Sequence, residues 1–162
     1  MALVPRILQT WRRPGAAVRG MAGISEAGLL ALLLGTMAVY FVAQWPAHAR
    51  AAALDPSVPL QARLGGALLA TLFLMPLVVM TAALVVQLLL RAFGTRIEGF
   101  ESRLALVWAL AAASPVMLLQ GLTQGFVGPG PALTVVNLLA GAAFLVFWIA
   151  GLRALSRKRH PA

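Results

Sequence analysis

One stretch constrains this chain more than any other: Leu64–Leu90, twenty-seven consecutive residues without a single ionisable side chain. About 20 apolar helical residues are enough to cross the hydrocarbon core of a bilayer. At about 1.5 Å per residue the stretch reaches roughly 40 Å, so it tilts, bends or emerges at its ends into the headgroups. Arg63 and Arg91 bracket it, and Pro76 lies near its middle. The chain reads as an integral membrane protein. Its composition agrees: 61% of the 162 residues are hydrophobic and 10% charged, well outside the usage of soluble domains.

Three further runs have the length and polarity of spans, giving an all-α membrane protein with spans at about 27–45, 64–90, 104–122 and 132–152. The first ends at Trp45-Pro46, an interfacial Trp followed by a residue that stops helices. Ala47-His48-Ala49 resembles a signal-peptidase site, but the apolar run before it exceeds the usual h-region of about 7–15 residues. Residues 46–63, with Pro46, Asp55, Pro56 and Pro59, read as a polar connection. Residues 91–103 form a loop with both signs of charge. Ser114-Pro115 breaks the third span, and Gln120–Pro131 is expected to be a turn of Gly, Pro and uncharged groups.

Residues 1–25 carry Arg6, Arg12, Arg13 and Arg19 and no acid, interleaved with Val4, Ile7, Leu8 and Trp11. That spacing predicts amphipathic helix in two pieces divided at Pro14, lying in the cytoplasmic headgroup layer; a disordered basic tail is the plainer alternative. Residues 154–162 form a second basic tail. Four spans put both termini on one side. That side receives four Lys or Arg from residues 1–25, three from 91–103 and four from 153–159, against Arg50 and Arg63 opposite. Eleven against two is a strong positive-inside bias, so both ends are expected in the cytoplasm.

Ionisable residues inside spans are the usual marks of transport or catalysis, and these four spans hold none. There is no cysteine, one Asp between the spans, and His48 and His160 fall on opposite sides. No enzymatic activity, cofactor or metal site is expected. The net charge of +9 lies outside the apolar runs, where anionic lipid headgroups are nearer partners than nucleic acid. Candidates for lipid or protein contact are Trp11, Arg12 and Arg13, with Arg157, Lys158 and Arg159 at the far end; positive-inside topology alone also accounts for such arginines. Candidates for kinks and inter-helix polar contacts are Pro76, Pro115, Ser114, Asn137 and Gln87. Each proline frees a carbonyl four residues back, that of Leu72 or Ala111, which a side chain, a neighbour or water must meet. Small residues four apart, among them Ala27, Ala31 and Gly35, Gly66 and Ala70, and Gly121 and Gly125, permit close helix approach and a homo-oligomer.

The lead-in Thr10-Trp11-Arg12-Arg13-Pro14, the span end Phe41–Pro46, Leu90–Gly94, Arg103-Leu104-Ala105, Ser114-Pro115 and Gly125–Pro131 together resemble the small bacterial members of the Yip1-domain family. The likeness covers about residues 5–153 and is one of arrangement. It implies a helical bundle in the bacterial inner membrane with a cytoplasmic N-terminus. That family is usually described with five spans, against four here, and the acidic-aromatic motif of its eukaryotic members is missing, so GTPase binding is not carried over. The resulting expectation is a non-enzymatic scaffold or accessory protein that works through helix packing, partnered by anionic lipid, another membrane protein or itself. A small transporter or channel built on Pro76 and Pro115, and a membrane-shaping protein, are the alternatives.

Overall fold

The computed structural model describes residues 3–95 and 97–156. Its regular elements there are all helices: α1 (Leu3–Arg12), α2 (Pro14–Arg19), α3 (Glu26–Leu54), α4 (Leu60–Leu69), α5 (Met75–Ala92), α6 (Gly99–Leu122) and α7 (Pro131–Leu155). Two π turns, Ala70–Leu74 and Thr123–Val127, join α4 to α5 and extend α6. Four rods are thus long and apolar enough to cross a membrane: Glu26–Leu54, Leu60–Ala92, Gly99–Val127 and Pro131–Leu155. Arg157, Lys158 and Arg159 lie outside the described residues.

The pillar of the bundle is α6, buried from Leu104 to Ala109 and from Ala111 to Ser114. Helices α3 and α7 flank it, and α5 packs on it separately. A run of alanines makes this possible, because small side chains let three neighbours approach one helix closely. Trp108 fills the central layer with no exposed surface, against Leu29, Leu33 and Leu104 of the same cluster. The outward sides of α5 and α7 stay apolar and exposed, at Leu77, Leu84 and Leu88 and at Leu138, Leu145 and Val146. Those are the surfaces hydrocarbon would cover.

Ser25 caps α3, its hydroxyl accepting from the Gly28 N–H at 3.1 Å. Glu98 and Glu101 form a reciprocal capping box at the start of α6, which satisfies two end N–H groups at once. Helix α5 is tied to α6 by Ser102, whose hydroxyl donates to the Ala83 carbonyl at 2.7 Å. Ser102→Ala is expected to lower the unfolding midpoint in mild detergent by an amount corresponding to about 1 kcal/mol.

Two expected stops prove to be continuous helix. Helix α3 runs through Trp45-Pro46 for two more turns to Leu54, so the 46–63 connection contracts to a short turn before α4. The proline costs one hydrogen bond, and the alanine-rich sequence beyond it favours helix. Those extra turns bring Arg50 to the end of α6, where Nη1 donates to the Gly125 and Phe126 carbonyls at 3.4 Å. A cation there complements the helix terminus. Likewise Gln120–Val127 is helical, ending in the π turn whose Thr123 carbonyl accepts from the Gly128 N–H at 3.0 Å. Gly128 then takes φ +86°, a left-handed value that suits glycine. Helix α6 also passes Ser114-Pro115 without a break.

At the α3–α4 turn, Asp55 accepts from the Ser57 N–H at 3.1 Å and pairs with Arg63 at 3.2 Å. Hydrogen bonding from Ser57, and secondarily the Arg63 charge, hold the Asp55 carboxyl below its ordinary range. A lowered carboxylate pKa stabilises the turn above the ordinary range and ceases to do so as pH falls through the lowered value. Acidification should therefore loosen this turn, as Asp55→Asn should at neutral pH. The Arg63 side-chain NMR signals report both, with a small effect because the pair is solvated.

Candidate functional site: the arginine-bearing end and its N-terminal helices

Charge and helix direction are matched at one end of the bundle. Helices α1, α2, α5 and α7 finish there with Arg12, Arg19, Arg91 and Arg153 in their last turns. Helices α3 and α6 begin there with Glu26 and Glu101 in their first turns. Each charge faces the favourable pole of its own helix. Glu26 and Arg103 form an ion pair between the starts of α3 and α6. Gln87, buried on α5, closes the α5–α6 loop. With its amide oxygen facing them, it accepts from the Gly99 N–H at 3.1 Å and from Arg91 Nη2 at 2.9 Å, while Arg91 Nε donates to the Ile97 carbonyl at 3.3 Å. Gln87 is thus a fastener of the loop.

The two N-terminal helices form as expected, divided at Arg13, whose backbone (φ −143°, ψ 72°) leaves the helical region ahead of Pro14. Leu3 and Ile7 share a depression with Gly35, Thr36 and Val39 of α3 and Ala111 and Ser114 of α6. Those positions lie roughly 14 to 22 Å along α3 and α6 from their charged ends, at 1.5 Å per residue. Helix α1 therefore rests across the flank of α6 about halfway along it, with Leu3 and Ile7 towards α3 and Trp11 towards α7, while α2 packs on the last turns of α7.

Polar contacts fix this position. Thr10, fully buried, donates to the Arg6 carbonyl at 2.8 Å and accepts from Trp108 Nε1 at 3.2 Å. Trp11 Nε1 donates to the Ala112 carbonyl at 3.2 Å, and its ring meets Phe147 edge-on at 5.1 Å. Arg6 turns back to the Gly20 carbonyl at 2.9 Å. Thr10 and Ile7 face the bundle, and the Trp11 indole reaches it from one side. Val4, Leu8 and half of Trp11 face outward, the arrangement of a helix whose open side meets lipid.

The candidates from the sequence divide accordingly. Trp11 is chiefly a structural anchor. Arg12 and Arg13 are exposed, as are Arg19 and Arg153 nearby, and among the described residues none of the four has an acidic partner. Ser114 bonds weakly within its own helix, to the Leu110 carbonyl at 3.4 Å. Asn137 crosses to α6, accepting from Gln120 Nε2 at 3.0 Å. Pro115 is exposed and Pro76 half-buried. The carbonyls flanking Ala111, which Pro115 leaves free, are held from outside: Tyr40 donates to Leu110 at 2.8 Å and Trp11 to Ala112. Before Pro76 the helix widens into a π turn, the Met75 N–H reaching the Ala70 carbonyl. There the Thr71 hydroxyl accepts from Gln44 Nε2 at 3.3 Å.

Comparison with protein-family models, curated proteins and solved structures finds no match to this chain. Its chemistry must be read from its own residues. Among those described, no three His, Asp or Glu side chains converge on a point that could hold a metal ion.

The contacts that sequence reasoning missed are Thr10–Trp108, Tyr40–Leu110 and Arg50–Gly125. One signal was present. Trp108 lies only four residues inside the 104–122 span, an ordinary place for tryptophan, but a buried indole N–H calls for an acceptor.

Proposed function

We propose that this chain is a non-enzymatic scaffold or accessory protein of a bacterial inner membrane, with its arginine-bearing end in the cytoplasm. The observation that carries this reading is the use of polar groups within the bundle. Thr10, Tyr40, Gln44, Thr71, Ser102 and Trp108 are engaged in holding one helix against another, and Pro115 points its ring outward. That is the wiring of a packing module. The resemblance to small Yip1-domain proteins supports the same reading.

On this reading Arg12 and Arg13, with Arg19 and Arg153 beside them, hold anionic headgroups, and Val4, Leu8 and Trp11 lie against the acyl chains beneath. Each arginine near an anionic surface contributes about 1 kcal/mol. Arg12→Gln with Arg13→Gln should therefore lower retention of phosphatidylglycerol by about tenfold or more in native mass spectrometry of the protein released from mixed-lipid nanodiscs. Unchanged retention would leave those arginines as topology signals alone. The accessory role itself is tested by purification from native membranes in mild detergent: a stoichiometric partner supports it. Solute flux through liposomes that is lost on Pro76→Ala with Pro115→Ala would replace it with transport.

A further inference from the structure

We propose that two copies of this chain associate through the cleft between α6 and α7, with Gln120 and Asn137 pairing reciprocally across a twofold axis. The cleft, of about 320 Å³, is lined by Tyr40, Ala113, Met117 and Phe144 together with Gln120, Asn137 and Gly141. It runs along the half of the bundle remote from the Glu26–Arg103 end. Asn137 is exposed, although it lies only 16 residues from Arg153, and Gln120 is 17 residues from Arg103. At 1.5 Å per residue both amides sit roughly 25 Å from the charged end, towards the far edge of a hydrocarbon layer of about 30 Å.

Gln120 Nε2 donates to Asn137 Oδ1. This single bond uses one donor and one acceptor. Gln120 Oε1 and the Asn137 amide hydrogens are left without a partner among the described residues. An exposed amide in hydrocarbon is costly unless another polar group meets it. The leftover set is self-complementary: in an isologous pair each copy's Asn137 donates to the other copy's Gln120. A lipid acyl chain offers nothing of the kind.

Geometry favours the same occupant. Four residues from Asn137, on the same side of α7, Gly141 has open space where a side chain would begin. A bare backbone beside a polar side chain is the surface that lets membrane helices approach closely and bond. The proposal is independent of the arginine-bearing end and of the accessory role.

The chain has no cysteine, so a single introduced thiol reports contact directly. In liposomes at high lipid-to-protein ratio, Gly141→Cys should form a disulfide-linked dimer on mild oxidation, and Val85→Cys on the exposed side of α5 should not. Energy transfer between labelled copies should show association weakened about tenfold by Gln120→Leu with Asn137→Leu, on the scale of two interhelical hydrogen bonds. If that double variant misfolds, Gly141→Ile keeps both amides, fills only open space and should abolish the transfer. Equal crosslinking at both thiols would overturn the proposal. So would undiminished transfer in the folded variants, or a monomeric chain that retains lipid in the cleft.

Discussion

Gly121→Ala is expected to separate α3 from α6 and lower stability by about 3 kcal/mol, at the upper end of overpacking costs. A Cβ on Gly121 would stand 1.7 Å from the Ala43 carbonyl oxygen and 2.6 Å from its carbon. Those atoms are backbone and cannot rotate aside, so the helices themselves must move. Gly125, one turn on, meets Pro46 in the same way, at 2.3 Å from its Cβ. Moving α3 outward also withdraws Arg50 from the end of α6. Gly66→Ala provides the contrast. Nothing lies within 4 Å of its Cβ position, and alanine favours helix over glycine by about 1 kcal/mol, so that variant should be neutral or slightly more stable. Unfolding midpoints in dodecylmaltoside titrated with sodium dodecyl sulfate measure both.

Trp108→Ala is expected to cost about 3 kcal/mol, the lower end of the range for emptying a large buried aromatic site. The lower figure applies because hydrocarbon surrounds the bundle, leaving mainly lost packing contacts rather than transfer from water. The variant also removes the donor that engages Thr10, so the N-terminal pair should come away from α6. Trypsin would then cut after Arg12 and Arg19 faster than in the parent chain. Trp108→Phe separates the two effects. It keeps most of the aromatic bulk, loses the N–H and should cost at least about 1 kcal/mol, with an intermediate rate of cleavage.

Much of this architecture was legible in the sequence. The four rods follow from uninterrupted apolar length, and the Pro14 division follows from the steric demand on Arg13. Gly121 and Gly125 were visible as a small-residue pair, but Gly66 and Ala70 looked equivalent. Only the approach of Ala43 and Pro46 makes one pair a contact, and spacing along a single helix does not encode what comes to face it. The two expected stops, at Pro46 and after Gln120, turned on tertiary support. Proline and glycine weaken a helix locally, and the Arg50 bridge between α3 and the end of α6 restores what they remove.

The placement of α1 was the least legible. Its amphipathic pattern suits a membrane surface and a groove equally, because in both cases one side meets lipid. The deciding residue is Thr10, a small hydroxyl in a basic segment, which matters only because Trp108 stands opposite. Of the candidate site, the arginines were readable from charge counting. The pairing of Asn137 with Gln120 was readable only as a need for some partner.

The bond between Thr10 and Trp108 joins positions 98 residues apart, and this sets an order of events during synthesis. The first helix leaves the ribosome long before α6, the surface on which it rests, has been made. Until that third rod is made, α1 has no surface to rest on. Seating the N-terminal pair is therefore a late step in biogenesis, and it certifies that the central rod has arrived.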